Sequence, residues 1–313
     1  MTATGAVAIF TLAEDIHGHL VADHVRRLGH RCHLVATDRM AFAPSLSWRS
    51  GEGGAAIRDI DGAGLDPARL DAVWWRRVAG GGPVPGEGVD EAARTLVPGE
   101  CRAALAGAVL SRFRGRWIND PAAEIRADNK LVQLDAAQAA GLDVPETLVS
   151  AEPARIRGFL DRQDGRLVVK AVRGTAAFSI PARLVGAADL ASDAALEACP
   201  AIYQEVVEGS RHLRVHVFGE EVIAVRIASP HLDWRPDLDV PMEPVRLEDG
   251  LAARLAGLVK GLGLAMGILD LKLREDGQPV FLEINPQGQF AFVEGLTGLP
   301  LAGRMAAFLT SAG

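Results

Sequence analysis

Short apolar runs alternate with longer stretches of helical pattern over the first hundred residues. The run Val7-Ala8-Ile9-Phe10 predicts a buried strand, and residues 15–28 predict a helix that ends at Gly29. Residues 33–36 and 72–75 are apolar runs of the same kind and predict two further strands. Strands that alternate with helices in this way indicate a parallel sheet covered by helices.

The pattern changes after about residue 117. Residues 128–140 predict a helix and residues 167–170 a strand. Two pairs of apolar runs then flank short turns that contain glycine, and they are 213–218 with 222–227 and 266–273 with 280–284. Such pairs predict antiparallel hairpins. We therefore expect two differently built parts, separated by a Gly/Pro segment at 80–88 and a helix over 90–111.

The composition is that of an ordinary globular protein. Of 313 residues, 49% are hydrophobic and 23% charged, which excludes collagen-like, coiled-coil and disordered chains. The net charge of −7 argues against a protein that coats nucleic acid. Three widely spaced cysteines form no Cys-x-x-Cys pair, so neither a disulfide framework nor a zinc site is expected. Because no long apolar run and no basic amino-terminal region occur, we expect a soluble, cytoplasmic protein without a membrane partner.

Two acidic residues interrupt apolar strands near the carboxyl terminus. Asp270 follows Ile268-Leu269, and Glu283 lies thirteen residues further on, two residues before Asn285. The two strands of one hairpin can bring both carboxylates side by side, where their mutual repulsion requires a cation. Glu283 and Asn285 share a strand face, and carboxylate and amide oxygens are suited to Mg²⁺. The alternative is a structural ion pair between Asp270 and Lys272.

Two lysines carry matching positive charge. Lys170 ends a predicted strand and precedes the loop 173–177, so its ammonium can reach a phosphate while loop amides bind the phosphate oxygens. Lys130 lies near the start of a predicted helix. The alternative for either lysine is a solvated surface charge.

A third segment, residues 201–209, has an edge-like backbone that can pair with an adenine. The residues expected to do so are Gln204, Glu205, Val206 and Val207. Glu208 follows them and can accept hydrogen bonds from ribose hydroxyls.

Together, and in this order, these segments resemble the ATP-grasp superfamily over roughly residues 117–311, most specifically at 281–286. The resemblance implies an α+β ATP-grasp fold in three parts. These are an amino-terminal α/β domain (1–116), a central lysine-bearing subdomain (117–200) and a carboxyl-terminal subdomain that binds Mg²⁺ and ATP (201–313).

The same resemblance implies roles for single residues. Lys130 and Lys170 would contact the nucleotide phosphates, and the magnesium ions would be held by Asp270, Glu283 and Asn285. Arg214 matches an arginine that steadies the transferred phosphoryl group and the acyl-phosphate oxygens. The alternative for Arg214 is a surface charge pair across two strands.

A narrower resemblance covers most of the chain. It is to the ligases that macrocyclise microviridin-type peptides (graspetides) and, more distantly, to the ligases that add glutamate to ribosomal protein S6. The segments that carry it are 14–17, 74–77, 118–121, 233–235, 285–290 and 296–300. Two departures stand out. The loop 173–177 has only one glycine, and His212 lies where the relatives often carry an acid.

This resemblance implies an enzyme that uses ATP and Mg²⁺ to convert a carboxylate into an acyl phosphate, which an amine or hydroxyl then attacks. The implied substrate is a ribosomal precursor peptide with a leader segment, and the enzyme is expected to be a homodimer without a nucleic-acid partner. A ligase that adds free amino acids to a peptide or small acid is the first alternative. A nucleotide sensor without turnover is the second.

Four residues are candidates for binding the peptide. Arg76 and Arg77 follow a strand of large aromatics, and arginine matches the geometry of a carboxylate. Asp233 and Arg235 belong to the narrower resemblance. For the two adjacent arginines the alternative is solvation, with Trp74 before them in the core.

Overall fold

The structure, a computed structural model, describes residues 5–41, 43, 45–51, 54–79, 90–172 and 181–311. The segments 80–88 and 173–177, singled out in the sequence, lie outside these residues. No described helix is long and apolar enough to cross a membrane.

The strands of the described residues are β1 (Ala6–Thr11), β2 (Arg31–Ala36), β3 (Leu46–Trp48), β4 (Ala55–Arg58), β5 (Gly64–Leu65), β6 (Ala72–Trp75), β7 (Arg116–Ile118), β8 (Thr147–Ser150), β9 (Leu167–Lys170), β10 (Arg183–Val185), β11 (Ala201–Gln204), β12 (Arg211–Phe218), β13 (Glu221–Ala228), β14 (Met242–Val245), β15 (Met266–Leu273) and β16 (Pro279–Asn285). The helices are α1 (Ile16–Arg27), α2 (Glu91–Arg112), α3 (Pro121–Ala127), α4 (Lys130–Ala139), α5 (Pro153–Arg162), α6 (Asp193–Glu197), α7 (Asp249–Gly261), α8 (Ala291–Thr297) and α9 (Leu301–Thr310).

The chain divides into two compact units. Unit 1 comprises Met1–Pro121 and Gln287–Gly313, and unit 2 comprises Ala122–Pro286. Residues 287–313 therefore belong with the amino-terminal part, whereas the sequence analysis assigned them to a carboxyl-terminal subdomain. The physical reason lies in α9, whose apolar residues pack against α1 of unit 1. The three-part division of the chain stays a prediction.

Unit 1 is built on a four-stranded parallel sheet in the order β2-β1-β6-β7. The parallel sheet predicted from the strand-helix alternation is confirmed. A small antiparallel sheet, β3-β4-β5, lies in the same unit. The sequence pattern does not predict this second sheet, because its strands are only two to four residues long and too short to show a period.

Unit 2 contains two antiparallel sheets. One has the order β10-β9-β11-β8, and the other has the order β14-β13-β12-β15-β16. Both predicted hairpins, β12-β13 and β15-β16, are confirmed. Along β12 and β15 the odd-numbered residues, such as Val215 and Leu269, join a core with α4 and α7. Since side chains alternate across a strand, the even-numbered residues face the opposite side of the sheet.

Two local predictions need correction. The helix predicted over 128–140 begins later, at Lys130, because the Asn129 side chain accepts a hydrogen bond from the backbone N–H of Leu131 (3.0 Å) and caps the helix. The strand β11 is not an edge, since it pairs with β8 on one side and β9 on the other. A backbone free to pair with a base can therefore begin only after Gln204.

Candidate active site

Two neighbouring strand pairs bring charged residues together on the even-numbered face of the large sheet. In the register of the strands, Asp270 lies opposite Glu283 on one side and opposite Arg214 on the other. The predicted pairing of the two acids is thus confirmed. A β-bulge follows Asp270, so the register beyond it is shifted by one residue.

Asp270 is bound by an arginine and not by the neighbouring lysine. The Arg214 Nη1 donates to both carboxylate oxygens of Asp270, at 2.8 and 3.0 Å. Both residues are buried, Arg214 being 5% exposed, so this cross-strand pair does not lie on the surface as the alternative had it. Burial raises the pKa of Asp270 although Arg214 opposes that shift. The ion pair between Asp270 and Lys272 that the sequence left open is not formed.

Glu283 collects three cations around one carboxylate. Its two oxygens lie 3.4 Å from the Lys130 Nζ and 2.8 Å from the Arg235 Nη1. Burial by itself would raise the pKa of Glu283, but Arg235, Lys130 and Lys170 hold it below the ordinary value. The two lysines predicted to act together are therefore brought to the same carboxylate.

Lys170 ends strand β9, as predicted. Burial lowers the pKa of its ammonium to about 8, with Glu283 opposing the shift and the nearby charges of Lys130 and Arg235 adding to it. An ammonium whose surroundings are already positive gains from an anionic ligand, because a phosphate stabilises its charged form.

The acidic pair suits a magnesium ion better than a metal held by protein alone. Among the residues that the structure describes, no group of three or more His, Cys, Asp or Glu side chains can hold a metal. Two carboxylates with the nearby amide of Asn285 fit a hard cation that keeps waters and substrate phosphates as its other ligands. The residues present therefore fit Mg²⁺.

Gln204 and the residues after it, up to Glu208, are the segment predicted to bind adenine and ribose, here called the hinge. Gln204 is buried, and its Nε2 donates to the Thr147 Oγ1 at 2.8 Å. Glu205 is tied down on two sides, because its backbone N–H donates to the Glu146 carbonyl and its carboxylate accepts from Arg274. No backbone hydrogen bond among the described residues outside helices and strands involves Val206 or Val207.

Glu208, the predicted ribose ligand, is exposed. Its Oε1 accepts a hydrogen bond from the Arg166 Nη2 at 2.7 Å. A ribose hydroxyl would therefore have to share or displace this surface ion pair.

Asp233 and Arg235 form a two-bond ion pair at the same site. The Arg235 Nε and Nη2 donate to the Asp233 carboxylate at 2.8 and 2.7 Å, while Nη1 donates to Glu283. Half of the Arg235 side chain is exposed. Between the two residues, Trp234 is buried and its ring lies 5.4 Å from the Arg214 guanidinium carbon. Arg235 is therefore an exposed cation directly beside the Glu283 carboxylate.

Arg76 requires a correction. Its side chain is fully buried in unit 1, where Nε donates to Asp15 at 2.5 Å and Nη1 donates to the Gln287 carbonyl at 3.1 Å. An arginine held in this way presents no surface to a peptide, so we assign it a structural role. Trp74 is also fully buried, in agreement with its alternative, whereas Arg77 keeps partial exposure.

One residue that positions the site escaped the sequence analysis. Gln133 of α4 is buried, and its amide pairs with the backbone of Ile284 in both directions: Nε2 donates to the carbonyl at 2.9 Å, and Oε1 accepts from the N–H at 3.0 Å. Strand β16 is a sheet edge, so Gln133 satisfies backbone groups that lack a strand partner. Ile284 lies between Glu283 and Asn285, and Gln133 thereby fixes both. A glutamine on an apolar helix face was the available signal.

No family model matches the chain, but comparison with known proteins finds similar ligases. A probable alpha-L-glutamate ligase of Citrobacter koseri is 29% identical over 201 residues, 60% of this chain and 65% of that protein. A second, from Thioalkalivibrio sulfidiphilus, is 26% identical over 216 residues, 64% of this chain and 70% of that protein. The chain thus spans about two thirds of the length of these relatives.

Solved structures match over nearly the whole chain. The macrocyclase MdnC of Microcystis aeruginosa, bound with its precursor peptide MdnA, is 28% identical with a TM-score of 0.87, covering 98% of this chain and 100% of that one. The ATP-grasp ligase PsnB, complexed with a variant of its minimal precursor, Mg and ADP, is 26% identical with a TM-score of 0.78, covering 98% and 97%. The chain therefore has the ATP-grasp fold and resembles the ligases of that superfamily that act on peptides.

Proposed function

We propose that this protein is an ADP-forming ATP-grasp ligase that closes ester or amide bonds between side chains of a ribosomally made precursor peptide. The observation that carries the proposal is the pair of Asp270 and Glu283 in register, with Lys130 and Arg235 bound to Glu283 and Arg214 bound to Asp270. Its support from outside the chain is the similarity of about 28% over essentially the full length to a macrocyclase bound with its precursor peptide.

In the first step a side-chain carboxylate of the peptide attacks the γ-phosphorus of ATP. An acyl phosphate forms, and the bond to the β-phosphate oxygen breaks, so that ADP leaves. A Lys amine or a Ser/Thr hydroxyl of the same peptide then attacks the acyl carbon. Phosphate departs with the C–O electron pair, and the attacking group loses a proton to solvent or to the departing phosphate.

The residues of this chain contribute charge and position. Lys130 and Lys170 neutralise the phosphates, and Arg214, fixed by Asp270, stabilises the phosphoryl oxygens during transfer. Asp270, Glu283 and Asn285 would hold magnesium, which when bound would neutralise phosphate charge. The exposed guanidinium of Arg235, aligned by Asp233, binds the incoming carboxylate. Glu205–Glu208 follow a strand paired on both sides and bind adenine and ribose.

The decisive substrate is a precursor peptide with a leader segment, to be sought among the products of the neighbouring genes. Incubated with enzyme, ATP and Mg²⁺, it should lose the mass of one water for each bond formed, as read by mass spectrometry. Removal of the leader segment should slow this reaction strongly. The matched variant is Arg235→Lys, which keeps the positive charge but loses the two-bond geometry with a carboxylate. The Arg235→Lys enzyme should therefore close fewer side-chain bonds per unit time than the wild type.

A second function is favoured by the similarity to probable glutamate ligases. That activity would add free amino acids to a peptide or small acid, and the mass of the acceptor would rise by one residue for each addition. A mass gain, or full activity on short peptides without a leader, would replace the first proposal by the second. ATP binding without any ATP consumption would instead indicate a sensor.

The proposal includes a homodimer with no nucleic-acid or membrane partner, acting in the cytoplasm. Light scattering of the purified chain, with and without precursor peptide, measures the oligomeric state directly.

A further inference from the structure

A lysine lies in the same pocket as the hinge and the acidic pair, yet it is absent from the roles assigned above. Lys272 stands on β15 two residues after Asp270 and on the same face of the sheet. It is 6% exposed and lines the pocket together with Gln204, Val207 and Glu283. Among the residues that the structure describes, none forms a hydrogen bond or an ion pair with its ammonium.

The surroundings of Lys272 offer little compensation for a buried positive charge. Directly opposite, across the β12-β15 register, lies His212. Burial first, and then the charge of Lys272, lowers the pKa of His212 to about 4, so this imidazole is neutral near pH 7. Its Nε2 is buried and has no hydrogen-bond partner among the residues that the structure describes. The acid that acts on Lys272 is Glu208, which is already paired with Arg166.

A buried ammonium without a protein partner is costly. Such a charge is retained at little cost when a bound ligand supplies the acceptor oxygens, since hydrogen bonds to a charged donor are the strong ones. Within the described part of the chain, no acceptor oxygen lies within hydrogen-bond distance of the Lys272 ammonium, so a bound ligand can supply one.

The register places Lys272 along the length of a bound nucleotide. The hinge residues lead into the Arg211 end of β12, which pairs with Leu273. From Leu273, strand β15 leads back through Lys272 to Asp270. Lys272 and Asp270 are two residues apart, which corresponds to about 7 Å along a strand. Lys272 thus lies between the hinge, which would hold adenine, and the carboxylates, which would hold the metal and the outer phosphates.

From this placement we infer that Lys272 is a nucleotide-binding residue whose ammonium donates to oxygen atoms of the ribose and α-phosphate, with His212 opposite it on β12. The inference rests on the proposed function, because it takes the hinge and the acidic pair as the two ends of the ATP site. A carboxylate at position 212 would compete with the ligand for the Lys272 ammonium. Because this chain has the imidazole of His212 there, Lys272 stays available to the nucleotide.

Lys272→Met tests this, since methionine has a similar length and no charge. Isothermal titration of the full-length variant should show ATP with Mg²⁺, and AMP alone, binding about 10- to 100-fold more weakly than to the wild type, the range expected for hydrogen bonds to a charged group. Inorganic tripolyphosphate with Mg²⁺, which has no ribose or α-phosphate ester, should bind within about twofold of wild type. Lys272→Arg should recover part of the AMP affinity.

Lys260→Met is the matched control, because it makes the same chemical change at an exposed position of α7. It should leave all three affinities unchanged. Lys272→Gln replaces the methionine variant should the latter misfold, as judged by circular dichroism.

Equal affinity of the folded Met or Gln variant and the wild type for AMP and ATP would overturn the inference while leaving the proposed function intact. An equal loss for tripolyphosphate would also overturn it, since that result would assign Lys272 to general charge attraction. A wild-type protein that binds neither ATP nor tripolyphosphate would end both the proposed function and the inference.

Discussion

The Glu283 carboxylate lies within reach of Lys130 and Arg235, with Lys170 nearby. These three side chains come from α4, from the connection between β13 and β14, and from β9. Neighbouring positive charge keeps this acid ionised despite its burial. The same carboxylate would bind the metal, so its charge matters more for the reaction than its shape.

Glu283→Gln keeps the shape and removes the charge. We expect turnover to fall by about 10²- to 10³-fold, the usual cost of losing one electrostatic stabiliser. Steady-state ATP hydrolysis coupled to peptide modification measures this, and circular dichroism should show an unchanged fold. Near-normal turnover in this variant would remove the metal assignment.

Arg76 and Arg77 are adjacent in sequence and are expected to differ in function. Arg76→Ala should cost about 3–5 kcal/mol of unfolding free energy, because it leaves the buried Asp15 carboxylate without its partner. Arg77→Ala should leave stability nearly unchanged and weaken binding of the precursor peptide. Urea unfolding and peptide titration on both variants measure the two effects. A peptide-binding defect in a stable Arg76→Ala protein would contradict the structural role.

The roles of some single residues can be predicted from the sequence, and those of others cannot. Asp270 and Glu283 could be paired from sequence, because strand periodicity and one tight turn fix their register. The burial of Arg76 could not be predicted, since its partner Asp15 lies sixty-one positions away and nothing local marks the contact. Gln133 was missed for the same reason, because it bonds to a backbone 151 positions away.

Strand β12 contains two buried histidines, His212 and His216. His216 is fully buried, and its Nδ1 lies 3.3 Å from the Ile223 carbonyl, while no residue in the described ranges forms a hydrogen bond with its Nε2. Burial, and then the charge of Arg214, lowers the pKa of His216 to about 3. The strand is therefore folded with neutral histidines beside an arginine.

This arrangement predicts acid sensitivity. Between about pH 6.5 and pH 3 the unfolded chain binds a proton at His216 that the folded chain does not, so the free energy of unfolding falls as the pH is lowered through this range. The slope from one such histidine is at most about 1.4 kcal/mol per pH unit. In His216→Leu the decrease of the unfolding free energy with falling pH should be shallower by up to this slope. Urea unfolding at pH 7, 6 and 5 measures it.

His231→Leu serves as the control, because His231 is exposed. This variant should keep the wild-type slope. A His216→Leu protein with the wild-type slope as well would show that other groups cause the acid sensitivity.

At the level of strands and helices, long periodic elements were predicted well and short ones were not. The hairpins of unit 2 follow from alternating apolar positions around glycine turns, and the structure has them within two residues. The small sheet β3-β4-β5 is stabilised by packing with the rest of unit 1, through residues such as Ile57 and Leu65, and not by its own pattern. Tertiary contacts of this kind leave no local signature.

The molecule as a whole combines two units, one of which is closed by the end of the chain. Linear domain boundaries drawn from sequence could not show this, because the return of α8 and α9 to unit 1 depends on contacts with α1, nearly three hundred residues earlier.

The product nucleotide tests the assignment of the whole chain. Acyl-phosphate chemistry releases ADP and phosphate, whereas an adenylate-forming enzyme releases AMP and pyrophosphate. We expect one ADP for each side-chain ester or amide bond closed, as measured by chromatography of the nucleotides against mass spectrometry of the peptide. The control is the Glu283→Gln protein, which should form neither product at a comparable rate. AMP as the coupled product would contradict the ATP-grasp mechanism.

The ion pairs on Asp270 and Glu283 have a consequence for the order in which ligands enter. A divalent ion arriving alone must compete with Arg214, Lys130 and Arg235 for the same oxygens, and those displaced cations would then repel it. A nucleotide brings phosphates that accept hydrogen bonds from the displaced lysine and the two displaced arginines. Metal and nucleotide should therefore bind with strong positive cooperativity, each raising the affinity of the other by the same factor. The protein would remain insensitive to swings in free magnesium and respond only to the magnesium–nucleotide complex.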